Sequence, residues 1–149
     1  MTRDLAIKAL HKELQDKWET AKRAFESSHA GATSEQSKQE GKYDTRGLEE
    51  SYLAHGLSQS VIEFEKAIAD LESLEKQKPT ENIGVGSLVC GVRDGEEVSF
   101  FLSYSGGGVE AGVDGQEVTI ITPESPQAKQ LTGKVSGERA GSFKITEVL

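Results

Sequence analysis

The chain has 149 residues, 17 Lys+Arg against 25 Asp+Glu, 16 Gly and a single Cys, for a formal net charge of −8; this length suits one ordinary domain or two small ones. The acidic balance argues against broad binding to naked DNA or RNA, and one cysteine excludes an internal disulfide or a Cys-rich zinc site. No apolar run approaches the roughly 18 residues of a membrane span, and Met1-Thr2-Arg3-Asp4 turns amphipathic at once with no signal peptide, so an acidic, soluble, cytoplasmic protein is expected.

Residues 1–78 contain 4 glycines and no proline, whereas residues 79–149 contain 12 glycines and all 3 prolines. A Gly-poor, Lys/Glu-rich half reads as long helix, and a Gly-rich half with Val, Ile, Phe and Thr runs reads as short strands and turns. Lys78-Pro79-Thr80-Glu81-Asn82 is the expected boundary, because proline restricts the residue before it. Two domains follow: a helical hairpin over 1–78 and a small β-rich domain over 79–149.

In the first half, Ile7, Leu10, Leu14, Trp18, Ala21 and Phe25 recur at three- and four-residue spacing. So do Leu53, Leu57, Val61, Phe64, Ile68, Leu71 and Leu74. Both are apolar seams close to the coiled-coil period. Ile7 with Leu74, Leu10 with Leu71, Ala21 with Val61 and Phe25 with Leu57 have residue numbers summing to 81 or 82. A constant sum defines an antiparallel pair, so the chain is expected to fold back near Gly41. The seam fades between about Ala30 and Asp44, which predicts a polar tip, with Asp44 or Thr45 capping the second helix. The carboxylates Glu35, Glu40, Asp44, Glu49 and Glu50 all lie close to the fold-back. Acidic oxygens there have the chemistry to share a hard cation such as Mg²⁺ with a partner, or simply to keep the tip soluble. Lys22 and Arg23, with Lys8 and Lys12, put positive charge on the first helix among Glu13, Glu19 and Glu26.

The second half predicts four to six strands. Gly86–Val92 and Val98–Tyr104 flank Arg93-Asp94-Gly95-Glu96, a hairpin turn signal. Gly106-Gly107-Gly108 makes another turn, Val118–Ile121 a short strand, and Phe143–Val148 closes the chain. Between them, Pro123–Leu131 predicts one short helix with Ser125 as N-cap and Pro126 at its first position. Cys90 lies in an apolar strand and reads as a buried, inert thiol. His11, His29 and His55 lack metal-ligand spacing, no phosphate loop is present, and no catalytic triad stands out.

Ser125-Pro126-Gln127-Ala128-Lys129-Gln130-Leu131-Thr132-Gly133-Lys134, preceded by the Val118–Ile121 strand and followed by the Phe143–Val148 strand, resembles the Ser-Pro-x-Ala-x-x-Leu-x-Gly-Lys signature of the bacterial Gre transcript-cleavage factors. The hairpin followed by a small β domain is similar to their architecture. The resemblance implies an α+β fold, an antiparallel coiled-coil hairpin with an FKBP-like C-terminal domain. It implies a hairpin inserted in the secondary channel of RNA polymerase, with tip acids that help the polymerase hold its catalytic Mg²⁺. The protein would then be no enzyme by itself and carry no metal or cofactor of its own. Its partners would be RNA polymerase and, indirectly, nascent RNA, and it would be a monomer.

By the same resemblance Asp44 matches the first tip acid. The second, three residues on, falls on Gly47, so Glu49 or Glu50 would have to substitute. Lys22 and Arg23 would face RNA or polymerase, and Ser125, Pro126, Gly133 and Lys134 would dock on the polymerase. The missing carboxylate keeps open a channel-binding regulator without cleavage activity, of Rnk type or an inhibitory Gre relative. A prolyl isomerase would need an aromatic pocket built from Phe100, Phe101, Tyr104 and Phe143. A hairpin used as a dimerisation arm, or as a binder of some other basic cleft, is a further alternative.

Overall fold

The computed structural model describes the backbone of residues 1–33 and 46–149 and the side chains of residues 1–28 and 55–149. Two long helices come first, α1 (Arg3–Thr33) and α2 (Arg46–Glu75). They are followed by β1 (Leu88–Arg93), β2 (Glu96–Leu102), β3 (Glu110–Val113), β4 (Gln116–Ile121), α3 (Pro126–Leu131), β5 (Arg139–Ala140) and β6 (Phe143–Val148). The fold is therefore α+β, a helical hairpin followed by one six-stranded mixed sheet. Gly41 and Asp44 lie outside the described residues, as do both residues proposed to cap α2. Among the described residues, no helix is long and apolar enough to cross a membrane.

Packing divides the chain into two compact units, Met1–Leu14 with Lys66–Leu149, and Gln15–Glu65. The first unit takes in the base of the hairpin together with the sheet. Its apolar seam residues Ile7, Leu10, Leu14, Leu71 and Leu74 are fully buried, as the three- and four-residue spacing demands. His11 meets Glu72 across the helices at 2.9 Å. In the second unit, the Trp18 indole N–H donates to Glu65 at 3.0 Å. Both pairs have residue numbers summing to 83, close to the predicted 81–82, so the antiparallel register is constant at the two places.

The sheet has the order β3-β4-β2-β1-β6-β5. Every neighbouring pair is antiparallel except β2 with β4. The predicted Asp94-Gly95 turn joins β1 to β2 with φ of 52° and 79°, both left-handed, as a two-residue hairpin requires. This tight turn lets pairing run to Arg93–Glu96 and draws β2 two residues further back than the predicted Val98 start. Asp114-Gly115, with φ of 51° and 79°, repeats the device between β3 and β4.

Alternation divides the sheet's side chains between two faces. On one, Val89, Phe100, Leu102, Ile121, Phe143 and Ile145 form a core with Ala128 and Leu131 of α3. On the other, Leu88, Phe101, Val118 and Ile120 are equally buried. Gly106 shows what lies over that second face. A Cβ there would sit 3.1 Å from Ala67 Cβ, 3.5 Å from Ile120 and 3.8 Å from Leu14, so the loop after β2 passes close against both helices. Its φ of +83° independently favours glycine.

Arg3 is the main polar element of this packing. Although 8% exposed, it donates from Nε to the Gly86 carbonyl at 2.9 Å and from Nη2 to the Leu74 carbonyl at 2.5 Å. A cation on a carbonyl of the last turn of α2 satisfies an orphan acceptor and complements the helix dipole. Ser105 Oγ adds a bond to Asp70 of α2 at 2.5 Å.

Candidate functional site

Three regions hold the residues singled out by the sequence. The first is the segment 125–134. Ser125 has extended backbone (φ −68°, ψ 147°), and its Oγ accepts from the Ala128 N–H at 3.2 Å while donating to the Thr122 carbonyl at 2.7 Å. Pro126 follows at the first helical position, where no N–H is needed. Ala128 and Leu131 turn into the core, and Gly133 leaves the helix at φ +85°. The chain then pairs with the entry to the sheet: Gly133 N–H donates to Ile83 O, and Ile83 N–H to Lys134 O, both at 2.8 Å. Lys134 is half-buried, with Nζ 3.9 Å from Glu138. The segment is thus an anchored helix–turn with Lys134 as its charged end. Ser125 and Gly133 each have a complete structural duty there.

The second region is the helical arm. Within Gln15–Glu65, Ala21 is the only buried residue among the described side chains, and Trp18, Phe25, Leu57, Val61 and Phe64 are half-buried. The described side chains of this seam are therefore only partly shielded from water. Ile62, off the seam, is 60% exposed. Lys22 holds its ammonium 4.8 Å from the centre of the Trp18 ring, a cation–π contact within α1. Arg23 reaches Glu19 at 3.8 Å with its own side chain 80% exposed, so its guanidinium is free to meet another anion. Of the tip acids, Glu49 and Glu50 belong to the first turns of α2, but their side chains lie outside the described residues, as does Asp44 altogether.

The third region was not legible as a site. Cys90, Glu97, Ser99, Gln116, Thr146 and Glu147 line a concavity of about 320 Å³ on the sheet. Burial pushes the Cys90 thiol up from its ordinary range, opposed by a bond from Ser99 and reinforced by the nearby Glu147 and Glu97 charges. Ser99 Oγ donates to Sγ at 3.5 Å. The expected inert strand cysteine is half-buried, not fully buried. The β-bulge between Cys90 and Gly91 brings Glu147 opposite Cys90. In the sequence the bulge shows only as the break in alternation at Glu147-Val148, which does not by itself say that Glu147 comes to lie opposite Cys90.

Elsewhere, Glu117 shares a hydrogen bond with Glu110 at the exposed edge of the sheet, and that bond and the adjacent charge raise its pKa. Among the described residues no group of three or more His, Cys, Asp or Glu is placed to hold a metal. The aromatic residues available for a proline pocket are mostly consumed. Phe100, Phe101 and Phe143 are buried, Phe100 and Phe143 meet edge-on at 5.6 Å, and Tyr104 is 55% exposed. Arg93 caps the Phe100 and Phe143 rings at 5.9 and 5.7 Å and donates to Gln127 of α3 at 2.8 Å, a contact the sequence did not announce.

These features define a class: a two-helix arm joined through its base to a small sheet that carries one capped helix. Among solved structures, the chain is similar to the GreA factor homologue Gfh1 of Thermus thermophilus, at 20% identity over 95% of this chain and 96% of that one, with a TM-score of 0.32. It is similar also to Gfh1 of Thermus aquaticus, at 20% identity over 95% and 94% of the two chains, with a TM-score of 0.33. No family model matches the chain, and no curated protein sequence matches it significantly.

Proposed function

We propose that the protein is an RNA polymerase-binding elongation factor of the Gre type, which presents its hairpin to the polymerase's secondary channel and performs no chemistry of its own. The observation that carries this reading is the 125–134 segment. Its Gre-like residues occupy the positions their chemistry requires, with Ser125 as cap, Pro126 at the first helical position, Ala128 and Leu131 in the core and Gly133 at the left-handed exit. The arm supports it too, since a long hairpin with a half-exposed apolar seam and a cationic Lys22–Arg23 surface suits insertion between other surfaces. The protein would work in the cytoplasm beside the polymerase, with Asp44 and Glu49 or Glu50 at the inner end of the hairpin and the Mg²⁺ supplied by the polymerase.

A second reading, a channel-binding regulator without cleavage, is favoured by one specific residue: Gly47 stands where the Gre pattern has its second acid. The test is stalled, backtracked polymerase with and without the full chain. Binding at micromolar concentration is expected, and its absence overturns both readings. Faster RNA cleavage that Asp44→Ala abolishes establishes the first. Binding without faster cleavage, unchanged in Asp44→Ala, leaves the second.

A further inference from the structure

We draw no further inference here: the strongest candidate, the concavity on the sheet around Cys90, Glu97 and Glu147, joins a lone half-buried thiol to two exposed carboxylates, and nothing in the structure shows what covers it.

Discussion

Arg3 and Cys90 illustrate what single residues do in this fold. Arg3 uses a buried cation to hold two backbone carbonyls 12 positions apart in sequence, Leu74 and Gly86. Hydrogen bonds to a charged group are worth roughly 1.5–3 kcal/mol each, and truncation leaves buried acceptors unpaired. Arg3→Ala is therefore expected to lower unfolding stability by about 2–4 kcal/mol, measured by urea denaturation, and Arg3→Lys to recover only part, because one ammonium cannot reproduce the guanidinium fork. A stability change within about 0.5 kcal/mol, the range of an ordinary surface substitution, would contradict this assignment. Cys90 makes a second, pH-dependent prediction. Burial and the Glu147 and Glu97 charges favour the neutral thiol, so the thiolate population rises only at higher pH than in the unfolded chain. The reaction of this sole cysteine with a thiol reagent should be slower in the folded protein at pH 8, with its pH profile displaced upward. Coincident profiles in native and denaturant-unfolded protein would refute it. For Cys90 the apolar strand was legible in the sequence, though burial is only partial; Arg3 was not legible. Arg3 reads as one more charge on an amphipathic helix, and its acceptors are main-chain atoms brought near only by the tertiary fold.

At the scale of elements, legibility followed how local the determinants are. The seam at the base of α1 and α2, the Asp94-Gly95 turn and α3 with its Ser125 cap all rest on interactions within a few residues or on a simple period, and each forms as its pattern demands. β3 was hidden because it is only four residues long and its two inward positions, Ala111 and Val113, carry little apolar bulk, although they do alternate with Glu110 and Gly112. The Asp114-Gly115 pair was nevertheless the same hairpin signal as Asp94-Gly95 and would have found it. The capped helix gives a direct test. Ser125→Ala removes the acceptor of the Ala128 N–H and is expected to cost about 1 kcal/mol. Gly91→Ala should cost more, about 1–3 kcal/mol from overpacking, because a Cβ at Gly91 runs into the Phe143 ring and the Lys144 carbonyl. Thermal unfolding of the two variants should rank them in that order, and the reverse ranking would mean that the bulged β1–β6 pairing relaxes more readily than the α3 cap.

For the whole molecule, the division of stability between the two units makes the last prediction. The sheet and hairpin base bury a continuous apolar set that includes Leu14, Leu71, Phe101 and Ile120. The arm from Gln15 to Glu65 has a single buried residue, Ala21, among its described side chains. With so few fully buried apolar groups among its described residues, the arm is expected to open at lower free energy than the sheet. Trp18 is the only tryptophan and sits on the arm, tied to Glu65 and covered by Lys22. Its fluorescence therefore reports the arm, while amide exchange in β1, β2 and β6 reports the sheet. In rising urea, the Trp18 signal should change before the sheet amides lose protection, so the two transitions separate. Coincident transitions would mean that the hairpin unfolds only with its base. This ordering also bears on function. Under the function proposed above, a marginal arm gains most from a partner that covers its half-exposed seam, and added polymerase is then expected to shift the Trp18 transition to higher urea. An arm whose stability ignored saturating polymerase would not be the element that enters it.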